Sequence, residues 1–209
     1  MATNLLATST STSTDAQGNQ SSVSIGAGLQ LTGGVLTNLE PTGPLAYSNT
    51  TVPGGNTVAN SAALTTLTSS YTIPANGLSA GQVLEVNLAG VYGTAVIAPT
   101  LQIQILIGAT VVLTTGVITC VAALSGLSWS ARCTLLVQSI GVSGSIDAQG
   151  RMDFATAATT ALSALIGNSS AFTINTTVTE AITVTVQWGV AAVASTITMR
   201  QMFVEWLRG

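Results

Sequence analysis

The chain has 209 residues, no His, no Lys and a formal net charge of −3, so it carries no basic field to draw in a nucleic-acid backbone. Only 5% of the residues are charged, against roughly 25% in an ordinary domain, while 47% are hydrophobic and 4% aromatic. With neither His nor Lys, a Ser-His-Asp triad and a Ser-Lys dyad are both excluded. So sparse a surface charge is unusual for a soluble monomer. Two readings follow: much of the surface is buried against other chains, or the chain sits in a membrane. The first is favoured. The apolar run from Ile105 to Leu127 has the hydropathy of a membrane span. It is, however, rich in β-branched residues, interrupted by Gly108, Gly116 and Gly126, and not flanked by Lys or Arg clusters. A strand, loop, strand reading fits it better.

Residues 1–22 form a low-complexity Ser/Thr segment with too few apolar groups to offset its conformational entropy, and no basic region or apolar run of a secretory signal opens it. Residues 23–39 follow as a short strand, a glycine turn at Gly33-Gly34 and a second short strand, with leucines at 29, 31 and 36. This segment resembles one repeat of trimeric viral and bacteriophage fibre shafts, in which one leucine per strand points to the three-fold axis. The Gly26-x-Gly28 pattern lacks the third glycine and the βαβ context of a dinucleotide fingerprint. Residues 40–60, punctuated by Pro41, Gly43, Pro44, Pro53, Gly54 and Gly55, read as a linker. The main domain is expected over 61–209.

That domain opens at Tyr71-Thr-Ile-Pro-Ala-Asn-Gly77, where Pro74 to Gly77 is turn chemistry and Gly77 is the residue free to take positive φ. Val83 to Leu88 alternates loosely, and Leu101-Gln-Ile-Gln-Ile105 alternates strictly, the period of a half-buried strand. Strands are expected over 110–120 and 128–140. In the second, Trp129, Ala131, Cys133, Leu135 and Val137 face one way, and Ser130, Arg132, Thr134 and Leu136 the other. Residues 141–154 read as a hairpin turning near 148–150, and the Ala-rich stretch 155–167 as a short helix or a long loop. Further strands fall at 172–177, at 181–188 with Ile182, Val184, Val186 and Trp188 inward, and at 195–207. Strands at this spacing predict an all-β fold, a two-sheet antiparallel jelly-roll sandwich preceded by an extended N-terminal arm with a short fibre-like segment.

Three features carry a wider resemblance. They are the Tyr71-Thr-Ile-Pro-Ala-Asn76 opening with Gly81-x-Val83-Leu84, the Trp129…Leu135…Gly141…Gly144 middle, and the closing Ile182-Thr-Val-Thr-Val-Gln-Trp188…Thr196-Ile-Thr198…Val204-Glu205 strands. In this order they resemble β-sandwich domains of tailed-bacteriophage virion proteins, of the capsid decoration (cement) or head and tail fibre type. Many of those are trimers. The resemblance implies a non-enzymatic homotrimer on the capsid surface that binds and stabilises the major capsid protein lattice, with no nucleic acid, membrane or cofactor involved. The alternative it implies is a fibre or spike knob that recognises a host surface receptor. On the first reading, Leu5, Leu6, Ile25, Leu29, Leu31 and Leu36 are the candidate capsid contacts of the arm.

Little else suggests chemistry. Asp147 and Asp153 flank Gly150 and Arg151 and read as a glycosidase-type pair, half a Ca²⁺ site, or two solvated turn residues, the last favoured. Cys120 and Cys133 read as small buried apolar residues, and no metal site has recognisable spacing. Trp129, Trp188 and Trp206 could line a sugar-binding groove, but a Trp on the inward face of a strand is more often core, the reading favoured for Trp188. Because 202–207 is bulky on both faces, Met202, Val204 and Trp206 are the candidate subunit interface.

Overall fold

A computed structural model describes residues 9–14, 20–25, 29–32, 35–38, 45–49, 56–157 and 159–208; before residue 56, and at Arg208, only the backbone is described. The chain divides into two units, Met1–Pro44 and Leu45–Gly209. The first contains two antiparallel pairs: β1 (Ser9–Thr14) with β2 (Gln20–Ile25), and β3 (Leu29–Thr32) with β4 (Val35–Asn38). Leu31 stands opposite Leu36.

The second unit holds β5 (Leu45–Asn49), β6 (Thr57–Ala59), β7 (Thr65–Thr66), β8 (Tyr71–Ile73), β9 (Val83–Gly93), β10 (Thr100–Ile107) and β11 (Thr110–Thr114). It continues with β12 (Ile118–Thr119), β13 (Leu127–Ser139), β14 (Gly144–Ala157), β15 (Thr160–Gly167), β16 (Phe172–Ile174), β17 (Glu180–Trp188) and β18 (Thr196–Arg208). The larger sheet runs β15-β14-β13-β9-β18-β5, with β16 beside β14 and β6 beside β18. The smaller runs β11-β10-β17-β7, with β12 beside β10 and β8 beside β17. Every pairing is antiparallel. The described residues are all-β: two antiparallel sheets with the core between them.

Period-two alternation explains the core. On β10, Leu101, Ile103, Ile105 and Ile107 are buried, and on β17 they meet the company of Ile182, Val184, Val186 and Trp188. The larger sheet contributes Leu84, Val86 and Leu88 from β9 and Trp129, Ala131, Cys133, Leu135 and Val137 from β13. Two polar side chains at the interior's edge bond main-chain carbonyls. Tyr92 donates its hydroxyl to the Ala155 carbonyl at 2.7 Å and meets Phe154 edge-on, with ring centroids 5.7 Å apart. Trp129 donates Nε1 to the Thr198 carbonyl at 3.2 Å. Gly90 leaves the space for that bond, since a Cβ there would stand 1.9 Å from the Thr198 oxygen and 2.8 Å from Trp129 Nε1.

The structure revises several expectations. The stretch 40–60 is not simply a linker. Its residues 45–49 and 57–59 are strands that pair along β18, so the second unit begins at Leu45 rather than at residue 61. The 13-residue β18 has two edges to fill, and these short strands fill the one that β9 leaves. Residues 144–157 form one continuous strand, not a hairpin turning near 148–150. Gly150 lies mid-strand because its inward face meets β13: a Cβ would be 2.7 Å from the Arg132 carbonyl and 2.9 Å from Cys133 Sγ. Residues 155–167 are neither helix nor long loop but the end of β14 and the antiparallel β15. In the turn after β8, Asn76 takes positive φ (57°), while Gly77 donates its N–H to the Pro74 carbonyl at 2.9 Å. Asn tolerates the left-handed region by local hydrogen bonding.

Candidate functional site

Two surfaces of the second unit stand out. One is the outer face of the larger sheet, where a shallow trough of about 670 Å³ is lined by residues of β9, β13, β14 and β18. Strand register builds it in rows. Phe203, Asn87, Arg132, Arg151 and Leu165 follow one another across five strands, and beside them run Gln201, Ala89, Ser130, Asp153 and Ser163. Glu85, Glu205 and Asp147 share this face, so a chain poor in charge concentrates it here.

Arg132 and Arg151 are directly opposed, an unfavourable like-charge pair on adjacent strands. Each is compensated by its own carboxylate. Arg132 Nη2 donates to Glu85 Oε2 at 2.8 Å, and Arg151 Nε to Asp153 Oδ1 at 2.8 Å. Asn87 Nδ2 adds a 2.7 Å bond to Glu85 Oε1, and Ser163 bonds both Arg151 and Asp153. Burial pushes the Glu85 carboxyl up, but the bonds from Arg132 and Asn87 and the guanidinium charge together hold it below the usual range. The hydroxyl of Ser163, opposed by some burial and joined by Arg151, likewise holds Asp153 down. These carboxylates are therefore ionised partners of arginines rather than proton donors.

The structure separates the other chemical candidates. Asp147 and Asp153 project from one face of a continuous strand six residues apart, about 20 Å at ~3.3 Å per residue, far beyond the ~5–9.5 Å of paired glycosidase carboxylates. The same separation removes the shared Ca²⁺ half-site, and no group of three or more metal-ligating side chains occurs among the described residues. Cys120 and Cys133 are free and buried; burial pushes their thiols up to about 11 and about 12. Trp129 and Trp188 are buried and Trp206 packs partly buried against the core, so the three do not line a groove.

Met202 and Val204, two of the three candidate interface residues, are not brought to the surface. Met202 and Val204 are fully buried in the chain's own core, and Trp206 rests against it. A bulge between Met199 and Gln201 shifts the alternation, so Ile197 and Met199 point inward before it and Met202 and Val204 after it. Of the arm candidates, Leu5 and Leu6 lie outside the described residues. Ile25, Leu29, Leu31 and Leu36 lie on β2, β3 and β4, and their side chains are outside the description.

The second surface was missed by sequence reasoning. Leu101 is opposite Trp188, and Tyr92 is opposite both Leu127 and Ile197, so the loops 94–99, 115–126 and 189–195 meet at one end of the sandwich. Backbone bonds tie the first two together, Thr94 N to Leu124 O at 2.9 Å, Ala123 N to Ala95 O at 2.8 Å and Cys120 N to Pro99 O at 2.9 Å, while Gly189 N bonds Thr100 O on β10 at 2.8 Å. Thr94 Oγ1 donates to Val121 O at 2.7 Å and accepts from Leu124 N at 2.9 Å. Ala123 is held at a φ of 57°, uncommon for a residue with a Cβ. The result is a built cap. Its outward side chains are Val96 (83% exposed), Ile97 (81%), Val193 (82%), Val117, Val121 and Val190. The three loops contain no charged and no aromatic residue. Leu45, where the unit begins, is opposite Glu205 at the other end of β18.

The chain matches no family model, no curated protein and no solved structure. No helix is long and apolar enough to cross a membrane among the described residues.

Proposed function

We propose that this chain is a structural subunit of a larger assembly, of the virion kind its sequence resembles: a homotrimeric capsid decoration protein that binds and stabilises the major capsid protein lattice. The observation that carries the reading is the cap of bare aliphatic side chains. Several bare aliphatic side chains on loops at one end of a sandwich mark a place where something else docks. The rest of the described surface supports a mechanical role. Its trough is open and shallow, and Glu85 and Asp153 there are tied to arginines. We read the chain as having no enzymatic activity and no cofactor.

The finer fold reading belongs here as well. The orders β6-β18-β9-β13 and β8-β17-β10-β11, with the chain crossing between sheets at β6–β7, β8–β9, β9–β10, β12–β13, β16–β17 and β17–β18, support a jelly roll with β14 and β15 added at one edge. A second reading, a fibre or spike knob that recognises a host surface, is favoured by the bare side chains lying on loops at one end of a rigid sandwich, where recognition surfaces commonly sit.

The test is the copy number of the protein on purified particles stripped of tails and fibres. Copies at every lattice position are expected; a handful per particle, or loss with the tails, would move the protein to the fibre class.

A further inference from the structure

The cap has a specific partner. We infer that copies of this chain associate with each other through the loops 94–99, 115–126 and 189–195. This rests on the reading of the chain as an assembly subunit and adds the surface that such contacts use.

Three properties of the cap argue for a second copy as its occupant. The first is area. Val96, Ile97, Val117, Val121, Val190 and Val193 are each 48% or more exposed and can supply a substantial part of the ~800 Å² each partner contributes to a standard interface. The second is charge. A self-contact brings a patch against its own image, so any charge near the axis meets its like. These loops carry none, whereas the outer face of the larger sheet carries Glu85, Glu205, Arg132 and Arg151. The third is construction. Loops 94–99 and 115–126 are bonded to one another through their backbones, and loop 189–195 is tied to Thr100 and Asn60, so they enter a contact with less conformational entropy left to lose. A lipid surface fits less well. The loops lack the Trp, Tyr, Lys and Arg that anchor proteins at a bilayer interface, and the net charge of −3 opposes anionic headgroups.

The test is sedimentation velocity of the full chain beside the double variant Val96→Asp, Val193→Asp. Both side chains stand in solvent on loops, so circular dichroism and the urea midpoint should be unchanged. The expected result is a two-fold or greater fall in assembly mass, reversed towards the parent value in Val96→Thr, Val193→Thr. A trimer held elsewhere would then survive as a smaller species. An unchanged mass would overturn the inference, as would a parent chain that is already monomeric. A monomeric parent that binds phosphatidylcholine vesicles and is released by the aspartates would also overturn it, in favour of lipid. Should the double variant fail to fold, the same mass comparison is read from Val193→Asp alone, with the same two outcomes. Particle copy number is independent of all of these, so the assembly reading and this contact fail separately.

Discussion

The outer face of the larger sheet and the loop cap at the end of the sandwich are both solvent-facing, and they resolve that exposure in opposite ways. On the sheet face the register sets arginine against arginine, and the strain is relieved locally: Glu85 and Asn87 gather round Arg132, and Asp153 and Ser163 round Arg151. At the cap nothing is relieved within the chain. The backbone groups bond to each other, but the aliphatic side chains are left to water. A surface that satisfies itself needs no partner. A surface that satisfies its backbone and leaves its side chains bare is complete only with one.

Substitutions can break or sharpen this contrast. The largest effect is expected from Gly90→Ala, on the strand that underlies the charged face. Its Cβ would collide with the Thr198 carbonyl and the Trp129 indole, so β9 and β18 must separate. A loss beyond ~4 kcal/mol is expected, read as absence of a cooperative urea transition. Glu85→Gln comes next. It leaves the largely solvated Arg132 guanidinium without its counter-charge, and a small fall in the urea midpoint is expected at neutral pH.

The same pair sets a pH dependence. Glu85 and Asp153 both titrate below their ordinary values of 4.5 and 3.8 in the folded state, so the folded state binds protons less readily than the unfolded. Their contribution is whole above about pH 4.5 and drains away as pH falls through the folded values. Glu85→Gln should flatten that acid-side loss; an unchanged slope between pH 5 and pH 2 would show that the pair does not govern it. Ser195→Ala is expected to raise stability by up to about 1 kcal/mol, a small rise in Tm, because the Ser195 hydroxyl is buried without a hydrogen-bond partner. The smallest effect belongs to the cap. Val96→Asp should change unfolding free energy by no more than ~0.5 kcal/mol while changing association, the signature of a residue that supports contact rather than fold.

The strands that alternate strictly were legible in the sequence. In β10, β13 and β17 every residue assigned inward is buried, because half-burial imposes a period of two that the order of apolar residues displays. The failures have physical causes too. Gly150 looks like a turn residue because turns commonly use glycine, yet here it gives way to a neighbouring backbone. The stretch Thr160–Gly167 is poor in β-branched residues and is a strand because β14 offers it an edge. The strands Leu45–Asn49 and Thr57–Ala59 are hidden among prolines and glycines, and only the free edge of β18 explains them. The last strand was apolar on alternate faces in a way that suggested two buried surfaces, and its bulge shows how one face serves a single core. The cap was unreadable for a different reason. Its residues lie in three loops far apart in the chain, and only the sheet register shows that they share one end.

The position of β18 has a consequence in time. Its residues 196–208 lie between β9 and the pair β5 and β6, so strands made early wait for one made some 150 residues later. At roughly 5–20 residues per second, that is on the order of ten to thirty seconds on a translating ribosome. Through that interval one edge of β9 and the whole of β5 and β6 lack their partner, on a nascent chain with almost no charge to keep neighbours apart. Cells that make this protein in quantity therefore face a window in which polysome spacing and holding chaperones decide how much of it reaches the folded form.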